Sequence, residues 1–198
     1  MAGFCRLAVV EGDLEVAVTR CLFESSGLPI PEIKNCRGGP SFWKDARRFN
    51  RSAREIGPLF GLVDLEGAEC APGLLANKLG GPPATGFLLR VAERMIESWL
   101  LADRHALAAF LGVAVSRIPT DPERERDPKQ VIVNLARGSK RRAIREAVAP
   151  PARMQGVKVG PEYLPTMRAF VQNDWDARRA AERSDSLRRA RQALMRLA

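Results

Sequence analysis

The sequence predicts an α/β fold: a small, mostly parallel sheet sandwiched by helices, followed by a basic C-terminal helical extension. Three observations carry this. Apolar strand-like runs alternate with helical patterns through the first half of the chain, the order that builds a parallel sheet covered on both faces. Two of those runs, Phe4 to Val10 and Pro58 to Asp64, are apolar but for Arg6 and the closing Asp64, as in strands buried on both sides. Beyond about Ser116 only helical patterns are strong; the one strand-like run, Val131 to Leu135, fits helical spacing equally well. The expected organisation is a core over residues 1–116 and an extension over 117–198 packed on it.

The first strand, ending at Glu11-Gly12, leads into a helix that Gly12 or Asp13 can cap. Val16, Ala17, Arg20, Cys21, Leu22 and Glu24 keep helical spacing until Ser25-Ser26-Gly27 and the following prolines stop it. A short strand is predicted at Glu32 to Cys36, then a Gly-Gly-Pro break and a helix from Ser41 to about Ile56. That helix carries Phe42, Trp43, Ala46, Phe49 and Ala53. After the third strand, ECAPGLLANKLGGPPATG has the Gly and Pro punctuation of a loop, with at most one helical turn in its middle. Gly86 to Met95 is a fourth strand. IESWLLADRHALAAFLG is helical, with Asp103 placed to cap a second short helix ending at Gly112. Further helices are predicted at Pro128 to Leu135, Lys140 to Val148, Tyr163 to Ala180 and Ser184 to Leu197.

The chain has 198 residues, 45% of them hydrophobic and 28% charged, a globular composition. No apolar run reaches the roughly 20 residues that span a bilayer, and the first acid comes too early for a secretory signal, so a cytoplasmic protein is expected. Cys5, Cys21, Cys36 and Cys70 form no C-x-x-C pair and there is one histidine, so they read as reduced core thiols rather than zinc ligands. The net charge of +9 is unevenly spread. Residues 1–116 hold 13 basic and 13 acidic side chains, whereas residues 117–198 hold 19 and 10. That asymmetry points to contact between the extension and a polyanion, nucleic acid above all, although a basic helical surface also serves solubility.

The acids carry the chemistry. In a parallel sheet with right-handed crossovers the strand C-termini share one edge, outside which ligands bind. Glu11 follows the first strand and Asp64 and Glu66 follow the third, where alternation would point the latter two to the same side. Converging carboxylates stay ionised comfortably only with a cation among them, and Mg²⁺ suits such oxygen ligands. Two acids after a strand can also simply cap and solubilise its end. Glu97 and Asp103 are six residues apart, about 600° around a helix, and do not share a face if it is unbroken. Trp99, Leu100 and Leu101 read as core. Lys129, Lys140, Arg141, Arg142 and Arg145 are candidates for phosphate contact, while His105 has no assigned role.

AVVEG followed about fifty residues later by LFGLVDLEG resembles the Toprim domain shared by topoisomerases, bacterial primases and the overcoming-lysogenisation-defect nucleases. ERMIESWLLADRHALAAFLG with a downstream SDSLRRARQAL resembles a Toprim-like family of unassigned function, some of whose relatives are encoded beside ATPases in phage-defence systems. The resemblance implies Glu11 as a general acid/base or a second metal contact, Asp64 as the first metal-binding aspartate and Glu97, the acid after the fourth strand, as a metal ligand. Glu66 stands where the pattern most often has aspartate and, one methylene longer, is expected to ligate the metal too. It implies Mg²⁺, with Mn²⁺ as a substitute, and a nuclease subunit of a defence complex with nucleic acid and an ATPase as partners. The alternative is a non-catalytic module docking on such an ATPase.

Overall fold

The computed structural model describes residues 5–68, 70–151, 154 and 156–197; Phe4, the start of the first predicted strand, lies outside them. Four parallel strands, β1 (Leu7–Val10), β2 (Glu32–Asn35), β3 (Leu59–Asp64) and β4 (Phe87–Ala92), lie in the order β2-β1-β3-β4. The α/β class and the parallel sheet follow the sequence expectation and are consistent with a Toprim-like fold. Register places Val10 opposite both Asn35 and Leu62, and Asp64 opposite Ala92, so the strand C-termini form one edge.

Alternation along the strands sorts side chains between two cores. Val9, Leu59, Val63, Phe87, Leu89 and Val91 face α2 (Gly39–Glu55) and α3 (Ala71–Leu79). Ala8, Val10, Phe60, Leu62 and Ala92 face the other side, covered by α1 (Asp13–Ser25) and by helices that follow the sheet. These are α4 (Glu97–Ala102), α5 (Arg104–Leu111), α6 (Pro128–Arg137), α7 (Arg142–Val148), α8 (Tyr163–Asn173), α9 (Ala177–Ala181) and α10 (Asp185–Met195). Ile132, Val148, Phe170 and Leu187 are buried in the same cluster as Phe60 and Trp99, so the helices beyond residue 116 share one core with the sheet. Among the described residues no helix is long and apolar enough to cross a membrane.

Three elements differ from the sequence expectation. The loop-like stretch after β3 contains a nine-residue helix, α3, because Pro72 sits at its second position, where no backbone N–H is needed. Exposed Cys70 caps it, Sγ accepting from the Gly73 N–H. The single helix predicted over Tyr163 to Ala180 is two: the chain breaks at 174–176, where the Trp175 indole donates to the Trp99 carbonyl and Asp176 caps α9. β4 stops at Ala92 rather than Met95, since Arg94 takes a left-handed conformation with φ of 65°.

The acidic motif residues outside the sheet edge are structural. Asp103 was expected to cap α5; its buried carboxylate instead receives two hydrogen bonds from the Arg179 guanidinium, at 3.1 and 2.8 Å, and one from the Asp176 N–H. Glu123 gathers the start of α10, accepting from the hydroxyls of Ser184 and Ser186 and the backbone N–H groups of Asp185 and Ser186. Ser186 Oγ in turn accepts from the Trp99 indole at 2.7 Å. The SDSLRRARQAL motif is thereby tied to the ESWLLAD motif.

Candidate metal and phosphoryl-transfer site

A cleft of about 440 Å³ opens at the C-terminal edge of the sheet, and six acidic residues line it: Glu11, Glu15, Asp64 and Glu97, with Asp13 and Glu66 exposed. Each comes from a place where the sheet or a helix begins or ends. Glu11 follows β1, Glu15 lies in the first turn of α1, Asp64 closes β3 and Glu97 opens α4. Helix N-termini favour negative charge, which eases the crowding of Glu15 and Glu97.

Backbone hydrogen bonds from neighbouring strands and turns lock two of the acids. The Asp64 N–H donates to Glu11 Oε2 at 3.3 Å, and the Ile96 N–H donates to Asp64 Oδ1 at 2.8 Å. Glu97 is 1% exposed; its Oε1 accepts from the Tyr163 hydroxyl at 3.1 Å and faces Lys129 Nζ at 3.4 Å. Glu97 Oε2 is buried and has no hydrogen-bond partner among the described residues. Such an oxygen lacks the compensation a buried carboxylate normally has.

The electrostatics follow from several anions and few cations: Lys129 lies against Glu97, and exposed Arg37 also lines the cleft. Burial first, then the charges of Glu97 and Glu11, raise Glu15 to about 7. Burial and the charges of Glu15, Glu97 and Glu11 raise Asp64 well above the usual carboxylate range. Glu11 is raised as well, mainly by burial, with the N–H groups of Asp64 and Gly39 pulling the other way. Burial disfavours the Lys129 ammonium, but Glu97, Asp64 and Glu15 outweigh it and raise Lys129. Burial and Glu97 raise Tyr163 well above its ordinary value, keeping it a neutral phenol that donates to Glu97.

The sequence-expected residues therefore divide. Glu11, Asp64, Glu97 and Lys129 meet in the cleft. Glu66 lines the cleft as well but is exposed: with φ of 50° the chain turns after Leu65 and strand alternation no longer applies. Lys140, Arg141 and Arg142 are exposed and do not line the cleft; Arg141 donates to the Phe110 carbonyl and Arg142 pairs with Glu146. His105 is exposed. Sequence reasoning missed Glu15 and Tyr163. Glu15 lies in the first turn of the helix that leaves the strand end carrying Glu11, and that position was the signal available for it.

Hard oxygen donors, an orphaned buried carboxylate oxygen and excess negative charge suit a divalent cation such as Mg²⁺ or Mn²⁺. Among the described residues, no three His, Cys, Asp or Glu side chains yet converge closely enough to hold one. The set fits such an ion in donor chemistry and charge, and not in the spacing of the side chains as they stand. Compared with protein-family models, with curated proteins and with solved structures, the chain matches none.

Proposed function

We propose that the protein is a Toprim-like, divalent-cation-dependent phosphoryl-transfer enzyme, a nuclease that acts in the cytoplasm within an anti-phage complex. The observation that carries the chemistry is the buried carboxylate group at the sheet edge, in which Glu97 Oε2 has no partner and a single lysine faces the acids. The defence setting and the ATPase partner rest on the resemblance of residues 93–112 and 184–194.

Asp64, Glu97 and Glu15 would hold the cation, with Glu66 within reach from the rim. When bound, such an ion supplies positive charge against phosphate oxygens and acidifies a water molecule. The chain's own groups do the rest. The Ile96 N–H fixes the orientation of Asp64, and the Asp64 N–H fixes Glu11. Glu11, its proton affinity raised by burial, accepts the proton of the attacking water. Lys129 adds a positive charge beside Glu97 for the transferring group. Purified protein incubated with DNA and RNA in Mg²⁺ or Mn²⁺ should cleave at least one of them, and Asp64→Ala should abolish the cleavage. Cleavage unchanged in Asp64→Ala removes this mechanism.

A second reading, a non-catalytic module that docks on an ATPase, is favoured by one observation: the ligating side chains do not converge as they stand. Under it, neither metal binding nor cleavage appears even with the ATPase present.

A further inference from the structure

On α2, Lys44, Arg47, Arg51 and Arg54 succeed one another at steps of three and four residues. At about 100° per residue they fall within about 80° of the helix circumference and extend about 15 Å along it. Phe42, Ala46, Phe49 and Ala53 occupy the opposite side and are buried against the sheet, so the four cations face solvent, and all are exposed. Among the described residues none of the four is in an ion pair, whereas Lys34 and Arg48 on the far flank share Asp45. Like charges at this spacing repel along a helix. A bound polyanion relieves that repulsion.

The helix that carries the row starts at the acids. α2 begins beside Glu11, whose Oε1 would lie 2.9 Å from a Cβ on Gly39. A second cleft, about 400 Å³, lies along the same row of acids and is lined by Glu11, Asp64 and Glu66 together with Pro40, Trp43 and Lys78. Trp43 packs edge-on against Phe42, with ring centroids 5.1 Å apart, and Lys78 Nζ lies 5.9 Å from its own ring centroid. Of the three tryptophans, Trp99 and Trp175 are buried and Trp43 is half-buried. A tryptophan at a cleft mouth, with a lysine beside it and a row of free cations behind, is the arrangement that binds unpaired nucleotides by stacking and charge.

We infer that this flank is a track for single-stranded nucleic acid. Phosphates run along Lys44, Arg47, Arg51 and Arg54; a base takes the place of Lys78 over Trp43, leaving the ammonium for its phosphate; and the strand continues onto the acid row. Only the fate of the strand at the acids rests on the phosphoryl-transfer reading.

The test is fluorescence anisotropy with the full chain and a fluorescein-labelled oligothymidylate of about 20 nucleotides, in chelator so that no cleavage intervenes. Circular dichroism of each variant confirms the fold. Arg47→Glu with Arg51→Glu should weaken binding at least tenfold at moderate salt. Arg47→Ala with Arg51→Ala should lower the slope of log affinity against log salt by about 1.4, roughly 0.7 per lost phosphate contact. Trp43→Ala should weaken binding about 5- to 100-fold, and wild-type tryptophan emission should be quenched by the strand. Lys140→Glu with Arg142→Glu should bind as wild type, and a duplex of equal length should compete less well. No binding by the wild type, equal binding by the α2 variants, loss confined to the Lys140 and Arg142 variant, or preference for polyglutamate over the oligonucleotide would each overturn the inference. Oligothymidylate binding that depends on α2, in a protein that cleaves nothing, would leave the track standing and remove only the nuclease reading.

Discussion

Glu15 occupies the first turn of an amphipathic helix, an ordinary place for an acid, yet it is 6% exposed and surrounded by other carboxylates. With its proton affinity raised from 4.5 to about 7, the folded protein holds that proton more tightly than the unfolded chain does. Stability is then full below about pH 4.5 and falls as pH rises to about 7, by about 3 kcal/mol for this group. Chemical denaturation in chelator across that range should show the decline, and Glu15→Gln should flatten it; equal slopes in the two proteins would place the proton elsewhere. Gly39 carries a second residue-scale expectation. A methyl there would meet Glu11 Oε1, the flexible end of a side chain, so Gly39→Ala should keep its fold. It should slow cleavage by about tenfold or more by displacing that proton acceptor, which single-turnover kinetics can read, while divalent-cation binding is kept. Glu11 and Asp64 were legible because a strand that ends at an acid places it on the ligand edge of a parallel sheet. Glu15 was hidden by its plausibility as a helix-start acid, and the route to Glu66 was not the one inferred: its left-handed backbone breaks strand alternation, yet it still lines the cleft with Asp64.

At the level of elements, the weight falls on how α10 is fastened. Glu123 accepts four hydrogen bonds from residues 184–186, and Ser186 bridges onward to Trp99. Glu123→Ala leaves those donors, two of them backbone N–H groups at a helix start, without their acceptor. The expected loss is about 2–4 kcal/mol in urea unfolding, combining a lost cap with unsatisfied buried donors. A loss below about 0.5 kcal/mol would mean that water replaces the carboxylate and that α10 is held by packing alone. Most helices were readable from apolar spacing and cap residues. α3 was not, because a Pro-Gly pair reads as a breaker unless the proline is known to sit in the first turn, and its cap is a cysteine rather than Ser, Thr, Asp or Asn. The break at 174–176 was invisible locally, since it is set by the distant partners Trp99 and Asp103.

Across the whole molecule, charge summed by halves of the chain hides what the fold displays. The first 116 residues are neutral in sum, yet α2 collects a row of unpaired cations on one flank while the acids gather at the sheet edge. The basic residues of the extension that seemed best placed for phosphate, Lys140 to Arg142, stand away from the cleft; Lys129 alone among the expected contacts enters it. Folding has thus brought four carboxylates from residues 11 to 97 together against a single ammonium, an arrangement that favours protons in the absence of a cation and releases them to one. Isothermal calorimetry with Mn²⁺ near pH 6.5, repeated in buffers of different ionisation enthalpy, measures both events at once. Saturable binding accompanied by proton release, lost in Asp64→Asn and Glu97→Gln, is the predicted result. Absence of binding in the wild type, or binding that survives both substitutions, would contradict a cation site at the sheet edge.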